Sequence, residues 1–420
     1  MHVVVIGGGL IGVTSAYYLL QDGHRVTLLE RNPELAAECS FANGAMLHAS
    51  HGEPWNSPAA VRQLLTWIGR EDSPLLLRPA RLPRLLGWGL RFLASSTPRR
   101  HREATLANTR LARYSQQLMA ELRETVPLEY DQRRDGIAKI FHDRRELEAA
   151  ERLSGMLEPL GVPFERWSAR TLVEREPALA DTESQLAGAL YYPEDETGDP
   201  HRFTAALGEH CRARGLDLRT DTVVRSMERS GGRITAVLTE SGRLAADAVV
   251  LAAGAEAPTL ARPLGIRLPL EPVKGYSVTI DGTALSGLPR LPLIDDGHKV
   301  VMTPLGDRLR AAGTAEFTGV DTRVNGKRIE LLLRQMGAAL PGLRERLLAA
   351  PRTEWACLRA MTPDGPPMVG RSRLDNLWLN VGAGHMGWTF AAGMGRMLTD
   401  LMAGRSPDLD PAAYRPDRFS

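Results

Sequence analysis

A glycine-rich turn at residues 7–12 constrains the fold of this chain more than any other sequence feature. An apolar run at residues 2–6 leads into the turn, and an apolar helical pattern follows it and ends before Gly23. A second apolar run then ends on Glu30, eighteen residues after Gly12. This order of strand, tight turn, helix and strand with a terminal acid is typical of a dinucleotide-binding unit.

Each part of this unit has its own role in binding a dinucleotide. Gly7 makes the turn, Gly9 lets the backbone approach a pyrophosphate, and Gly12 allows the helix and the strand to pack closely. The helix N-terminus presents unpaired N–H groups and a positive dipole end to the phosphates. The Glu30 carboxylate can accept hydrogen bonds from ribose hydroxyls and would repel a 2′-phosphate, so NADP is disfavoured. This motif alone does not distinguish FAD from NAD.

The overall composition narrows the possible functions. The 420 residues include 52 Lys and Arg against 50 Asp and Glu, so the charge gives no reason to expect a nucleic-acid partner. No apolar run is long enough to span a membrane, and the three cysteines lack the spacing of a metal site. Because the first strand begins at residue 2, we expect no targeting segment. These properties predict a cytoplasmic protein of two to three domains without a bound metal.

One segment, residues 74–102, is both basic and apolar. Its leucines, Trp88 and Phe92 are interspersed with arginines, and it contains no acidic residue. This composition is typical of a segment that lies on an anionic membrane surface, here the inner face of the cytoplasmic membrane. The alternative is a helix packed on the domain with its arginines in solvent. Pro79 and Pro83 favour the alternative, because prolines interrupt a long amphipathic helix.

A second glycine-rich turn lies near the C-terminus. The apolar run at residues 377–381 leads into glycines at positions 382, 384 and 387, and a helical pattern follows from Thr389 to Met402. An NAD-dependent enzyme has no need of a second helix N-terminus at its cofactor. A flavin does, because its pyrimidine carbonyl becomes anionic on reduction and a helix N-terminus stabilises that charge. The second turn therefore favours FAD.

Two further segments are expected to reach the cofactor. Residues 39–48 are small and polar and follow the strand that ends at Glu30, which suits a segment running along a pyrophosphate. Residues 246–255 form an apolar run ending in a small-residue turn, which would let the backbone approach the cofactor again. The predicted cofactor contacts are Gly7, Gly9, Leu10, Ile11, Gly12, Glu30, Arg31, Ser40, Asn43, Gly44, Val224, Ala253, Gly254, Gly384, Met386, Gly387, Trp388 and Thr389.

These motifs, with several others, resemble those of a known enzyme family. Over nearly its whole length the chain is similar to the small-subunit type of FAD-dependent D-amino acid dehydrogenase. That family falls in the wider group of D-amino acid oxidase, glycine oxidase and sarcosine oxidase. The motifs that carry the resemblance are Gly7–Gly12, Ser40–Asn43, Asp195–Asp199, Val273–Ser277, Leu358–Gly365, Asn376–Asn380 and Gly387–Thr389.

The resemblance implies an α/β (α+β) fold with two domains. A Rossmann-type FAD-binding domain would be assembled from the discontinuous segments 1–50, 188–262 and 355–420. A substrate-binding domain with a mixed sheet would comprise residues 51–187 and 263–354.

The resemblance also implies a reaction. A D-amino acid would be oxidised by hydride transfer from Cα to flavin N5, and the imine would hydrolyse to a 2-oxo acid and ammonia. The electrons would pass to a quinone or another respiratory carrier. Two alternatives stay open: oxidation of a secondary amine, such as D-proline, hydroxyproline or an N-methyl amino acid, with oxygen as acceptor, and a non-catalytic FAD-binding subunit.

The resemblance assigns roles to four candidate catalytic residues. Arg359 matches the arginine that binds the substrate carboxylate, a role suited to the paired N–H groups of a guanidinium. Tyr276 matches a tyrosine near the substrate, whose hydroxyl would hydrogen-bond the same carboxylate. No side-chain base is required if the amine binds neutral, so catalysis would rest on positioning and desolvation. His48 and His385 are then expected in the pocket wall, where a neutral imidazole can take an ammonium proton.

At several pocket positions the chain departs from the commonest pattern of the family. His48, His51, Glu53 and His385 stand where smaller, neutral or aromatic residues are usual, which leaves room for a substrate other than D-alanine. Cys357 also departs from the pattern, and its spacing to the Thr-Pro-Asp motif that follows matches the cysteine that binds FAD covalently in monomeric sarcosine oxidase. A flavinyl thioether is therefore one hypothesis, although a free buried cysteine is the commoner state of this residue type.

Overall fold

The computed structural model of the protein describes residues 1–419 except positions 59, 60, 62, 63, 65 and 66. The α-helices among these residues are Leu10–Gln21, Leu82–Ser95, Pro98–Thr125, Arg144–Leu157, Ala169–Arg175, Pro200–Ala213, Ala257–Ala261, Gly326–Ala339, Arg344–Ala349 and Gly387–Met402. Several begin as capped helices should: Asp143, Asp199 and Asn325 each accept backbone N–H groups of the first turn.

The strands are numbered along the chain. They are β1 His2–Ile6, β2 Arg25–Leu29, β3 Met46–Leu47, β4 Leu75–Leu77, β5 Ile137–Phe141, β6 Glu165–Trp167, β7 Gly188–Tyr192, β8 Glu196–Thr197, β9 Asp217–Arg219, β10 Val224–Ser230, β11 Arg233–Thr239, β12 Gly242–Ala245, β13 Ala248–Leu251, β14 Glu271–Asp281, β15 Leu293–Asp295, β16 Val300–Leu305, β17 Arg308–Phe317, β18 Arg352–Met361, β19 Met368–Arg371 and β20 Leu377–Val381.

Six strands form one sheet in the order β19, β20, β13, β1, β2 and β9. All neighbours are parallel except β19 and β20, and Ile6 of β1 pairs with both Leu29 and Leu251. The central strands are apolar on both faces because helices cover both faces of a parallel sheet. The turn after β1 and Glu30 after β2 therefore meet at the carboxyl edge, where such sheets bind ligands.

Nine strands form a second, mixed sheet in the order β18, β14, β17, β16, β15, β5, β7 and β6, with β4 beside β17. Two of its pairings, β15 with β5 and β17 with β4, are parallel, and the others are antiparallel. The predicted combination of a Rossmann-type sheet with a mixed sheet is confirmed.

Sheet membership bears on the predicted domain boundaries at residues 188 and 355. β7 pairs with β5 and β6, and β18 pairs with β14, so both strands belong to the mixed sheet. The two-domain division stays a prediction, and we propose boundaries after Tyr192 and after Met361. The proposed boundaries differ from the predicted ones because β7 and β18 carry no local signal that assigns them to either sheet. Pairing with distant strands makes that assignment.

The helices that follow the two glycine-rich turns, Leu10–Gln21 and Gly387–Met402, pack against each other. Gly395 permits the contact, since a Cβ there would lie 3.0 Å from the carbonyl carbon of Thr14. The Thr14 hydroxyl donates to the carbonyl of Ala391 at 3.0 Å. Buried side chains of both helices join one hydrophobic core. This packing brings both turns to the wall of one cavity.

Candidate active site

A cavity of about 670 Å³ opens where the two glycine-rich turns meet β14 and β18 of the mixed sheet. Its volume lies in the usual range of cofactor and ligand pockets. Of the predicted cofactor contacts, those on its wall are Gly7, Gly9, Leu10, Ile11, Glu30, Arg31, Ser40, Asn43, Val224, Ala253, Gly254, Gly384, Gly387 and Trp388.

Four predicted contacts lie off this wall, and their role at the cofactor stays a prediction. Gly12 faces the carbonyl of Gly7 inside the strand–helix packing. The carbonyl of Gly44 accepts a hydrogen bond from the Thr303 hydroxyl at 2.7 Å. Met386 is buried in the core, and the Thr389 hydroxyl accepts from the backbone N–H of His48 at 3.3 Å. Small or polar character near a turn does not reveal which face a residue presents.

The first glycine-rich turn leaves no room for side chains. Gly7 has φ +113°, and a Cβ there would lie 2.6 Å from the carbonyl oxygen of Ala252. A Cβ on Gly12 would lie 1.8 Å from the carbonyl oxygen of Gly7. A Cβ on Gly9 would lie 3.1 Å from Ser40 Oγ, at the wall of the cavity. The backbone at this turn is therefore open to a close-lying phosphate group.

The polar groups around this turn are held in place. Glu30 is 8% exposed, and its carboxylate accepts from the backbone N–H of Gly8 at 2.7 Å and from Asn32 at 2.7 and 2.8 Å. Ser40 Oγ accepts from the backbone N–H of Leu10 at 3.0 Å. A carboxylate with spare lone pairs and a helix N-terminus thus face one cavity, as the ribose and phosphates of a dinucleotide require.

Two helices open on the cavity, and neither N-cap residue, Gly9 or Met386, supplies a side-chain cap, although the N–H of Leu10 is bonded by Ser40 Oγ from outside the helix. Unpaired N–H groups at a helix start are usually satisfied by a cap, by water or by a ligand. In the second turn, Gly382 and Gly384 adopt left-handed backbone conformations, with φ +79° and +57°. Two helix N-termini on one cavity fit a ligand with one anionic centre near each, and the residues present therefore fit FAD.

The Arg359 guanidinium lies in the cavity without an acidic partner. Its only hydrogen bond among the described residues is a long one, 3.5 Å, from Nη1 to the carbonyl of Thr314. Gly275 on β14 makes room for it, since a Cβ there would lie 2.4 Å from Arg359 Cζ. The guanidinium carbon also lies 5.7 Å from the centre of the Trp55 ring. The paired N–H groups are thus free to bind a carboxylate.

The hydroxyl of Tyr276 is committed elsewhere, which corrects its predicted role. It donates to Glu316 at 2.6 Å, and Glu316 also pairs with Arg78 at 2.6 Å. Burial, together with this carboxylate, raises the pKa of Tyr276. The residue lines the cavity, but the structure leaves its hydroxyl no free position for a substrate carboxylate.

Three histidines from distant parts of the chain form a cluster beside Arg359. The ring of His51 lies 5.6 Å from that of His48 and 6.4 Å from that of His385, and Trp55 stacks on His385 at 5.4 Å. Burial and the neighbouring His51 lower the pKa of His48 to about 3, and the same two causes lower the pKa of His385. All are therefore neutral imidazoles near pH 7.

Only one of the two predicted histidines reaches the cavity. His385 is on the wall, and its Nε2 is buried without a hydrogen-bond partner among the described residues. His48 lies behind the wall, against His51. Trp55 is not among the predicted site residues, and the signal that could have found it is its place in the proline-flanked loop at residues 51–58.

Asp195 begins one of the motifs that carry the resemblance, and its contacts hold the backbone of another segment in place. The side chain is buried, and it accepts from the Ser50 hydroxyl at 2.5 Å and from the backbone N–H of Ala49 at 2.9 Å. Burial raises the pKa of Asp195 to about 7. These bonds fix the segment between His48 and His51, so Asp195 positions the histidine cluster.

Two cysteines also line the cavity. Cys39 and Cys357 approach within 2.9 Å between their sulfurs, and Cys39 Sγ lies 2.9 Å from the carbonyl oxygen of Leu358. A thiol at position 357 therefore has access to the cavity in which a cofactor would lie.

Known proteins resemble this chain over its full length. Residues 2–401 match the family described as FAD dependent oxidoreductase. The chain is 42% identical to a D-amino acid dehydrogenase of Paramagnetospirillum magneticum, over 100% of this chain and 99% of that protein. It is 38% identical to a D-amino acid dehydrogenase of Chromohalobacter salexigens, over 100% of both. The resemblance inferred from the motifs is confirmed.

Solved structures show the same fold at lower identity. The L-proline dehydrogenase of P. horikoshii superimposes with a TM-score of 0.79 and 21% identity, over 100% of this chain and 97% of that one. The glycine oxidase of Geobacillus kaustophilus superimposes with a TM-score of 0.75 and 24% identity, over 98% and 97%. With the matched family covering nearly all residues, the chain belongs to the FAD-dependent oxidoreductases.

Proposed function

We propose that this protein oxidises D-amino acids to 2-oxo acids and ammonia, with FAD as its cofactor. The observation that carries the proposal is the Arg359 guanidinium, which lines the cavity and has no acidic partner in the part of the chain that the structure describes. Such a group binds an α-carboxylate bidentately and so fixes the position of Cα. The similar D-amino acid dehydrogenases support this choice of substrate class.

The chain's own residues would orient the substrate and exclude water around it. Arg359 binds the carboxylate, and the neutral histidines and Trp55 exclude water around the amine. His385 Nε2, which is buried without a hydrogen-bond partner among the described residues, would accept a hydrogen bond from the substrate amine, because its lowered pKa makes it a weak base. Bound FAD supplies the two-electron oxidant for the Cα–N bond. Glu30, Ser40 and the two helix N-termini would hold it.

The cofactor linkage is a separate question. The position of Cys357 on the cavity wall suits a thioether, whereas its contact with Cys39 suits a free thiol. We favour non-covalent FAD, for which the denatured chain has its unmodified mass.

Anaerobic addition of amino acids to the FAD-loaded protein tests the proposed substrate class. We expect D-amino acids to bleach the visible flavin absorbance and the matching L-enantiomers to leave it unchanged. With an artificial dye as acceptor, turnover should exceed the rate of peroxide formation, because we propose a quinone or another respiratory carrier as the physiological acceptor. Bleaching only by D-proline or sarcosine would favour the secondary-amine alternative. If no amino acid bleaches the flavin, the chain is a non-catalytic FAD-binding subunit.

We propose that the helix Leu82–Ser95 attaches the protein to the membrane that holds this acceptor. Pro83 lies in the first turn, where proline fits a helix, so it does not interrupt the helix as the sequence suggested. The helix packs on the protein through Leu85 and Phe92, as the second interpretation of this segment required. A second face of the helix, beside the packed one, exposes Leu82, Leu86, Leu90 and Leu93.

This leucine face suits an anionic bilayer. Leu86 and Leu90 are 64% and 59% exposed, and spacings of four and three residues place the four leucines on one side. Exposed Arg84 and Arg91 on the same helix supply the positive charge that binds anionic headgroups. No helix within the described part of the chain is long and apolar enough to cross a bilayer.

Sedimentation with anionic vesicles tests the attachment. At low ionic strength the protein should pellet with the vesicles, and added salt should release it. Replacing both Leu86 and Leu90 with serine should weaken binding at least about tenfold, given the free energy of burying a leucine. Leu348→Ser, on another exposed helix, is the matched control. If the unaltered protein stays in the supernatant at low salt, the proposed attachment is wrong.

A further inference from the structure

Three potential metal ligands meet at one edge of the mixed sheet, away from the cofactor cavity. β5 and β15 are adjacent and parallel, with Ile140 paired with Asp295. His142 follows the end of β5, and His298 lies in the turn after β15. Because the carboxyl ends of parallel strands meet at the same edge, the fold brings His142, Asp295 and His298 together.

The distances between these groups fit a bound cation. One ligand atom from each side chain lies within 4.8 Å of the other two. His142 Nε2 is 3.2 Å from both carboxylate oxygens of Asp295, and His298 Nδ1 is 2.8 Å from one of them. Two ligands of a tetrahedral zinc ion lie about 3.3 to 3.6 Å apart, given bond lengths near 2.0 to 2.2 Å. The two histidine–carboxylate separations, 3.2 and 2.8 Å, would have to lengthen by about 0.1 to 0.5 Å to reach this spacing.

The surroundings orient the three side chains. His142 Nδ1 lies 3.3 Å from the carbonyl oxygen of Gln185, the kind of contact that fixes a ring and leaves Nε2 for a metal. The backbone N–H of His298 donates to Asp295 at 2.9 Å. Gly297 makes room for the imidazole, since a Cβ there would lie 2.5 Å from His142 Cδ2.

The site is also open to solvent on one side. The Asp295 side chain is fully buried, whereas those of His142 and His298 are 23% and 30% exposed. An ion can therefore enter from solvent and keep water in its remaining position. Two imidazoles and one carboxylate are ligands that suit zinc and similar divalent transition metals.

We propose that His142, Asp295 and His298 form a binding site for a divalent transition metal, with Zn²⁺ as the best-fitting ion. None of the three lines the cofactor cavity, so the site is separate from the proposed substrate chemistry. A bound ion would link the turn after β15 to the end of β5. In this turn Asp296 pairs with Lys139 of β5 at 3.0 Å, so the two strands are already joined by one ionic contact.

Metal binding to the full-length, FAD-loaded protein tests the site. After removal of metals with a chelator and dialysis, titration with Zn²⁺ should show one bound ion per chain, and Co²⁺ should give the visible absorption of a low-coordinate site. His298→Gln and His142→Gln should each weaken Zn²⁺ binding by more than about 100-fold. Loss of a residue that only hydrogen-bonds a metal ligand weakens binding less, by about 10- to 100-fold. Both histidines are partly exposed, so we expect the variants to fold.

A matched control separates this site from adventitious binding. His24→Gln removes a partly buried histidine that directly precedes β2, and it should leave the zinc affinity unchanged. The proposal is overturned if the unaltered protein binds no stoichiometric zinc, or if the His298 and His142 variants bind it as tightly as the control. The three side chains would then form only a hydrogen-bonded ion pair.

Discussion

Replacement of Arg359 with alanine should lower kcat/KM for a D-amino acid about 100- to 1000-fold. The substitution removes two charge-assisted hydrogen bonds to the substrate carboxylate, together worth about 3 to 4 kcal/mol. Each 1.4 kcal/mol corresponds to a factor of ten in kcat/KM. Arg359→Lys should recover only part of this loss, because an ammonium group cannot bind a carboxylate bidentately. Steady-state kinetics with a dye acceptor measures the effect.

The control for this experiment lies on the same strand. Arg352 of β18 is paired with Glu354 at 3.1 Å and lies outside the cavity, so Arg352→Ala should leave kcat/KM unchanged. The FAD content of the Arg359 variants should equal that of the unaltered protein, since no cofactor contact is assigned to this side chain. An Arg359→Ala variant with unaltered kcat/KM would exclude the proposed carboxylate site.

Gly12→Ala should abolish FAD retention and strongly destabilise the fold. The added Cβ would lie 1.8 Å from the carbonyl oxygen of Gly7, a backbone atom that no side-chain rotation can move away. The helix and β1 would have to separate, which displaces the turn that faces the cavity and costs at least about 3 kcal/mol. The ratio of flavin to protein after gel filtration and the thermal midpoint Tm measure the two effects.

A second helical glycine supplies the comparison. Gly155, in the helix Arg144–Leu157, has open space within 4 Å of the position that a Cβ would take. The Gly155→Ala variant should therefore keep its FAD. Its free energy of unfolding should rise by about 0.5 to 1 kcal/mol, because alanine is the better helix former. If Gly12→Ala purifies with full FAD and an unchanged Tm, the turn does not have the close packing that the structure shows.

Local patterns were sufficient to predict the nucleotide-binding unit. From β1 to Glu30 the signals are contiguous: an apolar strand, glycines at fixed spacing, a helix and an acid after the next strand. The glycine-rich turn after β20 has the same contiguity. In both places the residues that make the feature are neighbours in sequence, so no long-range contact had to be known.

The orientation of Tyr276 shows where such reasoning ends. Side chains of a strand alternate between faces, and the pairing of β14 with β17 shifts in register between Gly275 and Tyr276. An irregularity of this kind re-aims the side chain, here toward Glu316 on β17. The motif placed the tyrosine beside the substrate, whereas the shifted register directs its hydroxyl away.

Local sequence patterns were enough to predict the cofactor class and the order of the first elements, because these depend on short-range spacing of glycines, apolar residues and one acid. The surroundings of the proposed carboxylate and cation sites depend instead on tertiary contacts. The histidine cluster joins residues 48 to 51 with residue 385, and the His142–Asp295 contact spans 153 residues. Strand pairing and helix packing create those neighbours, and no local pattern encodes such pairings.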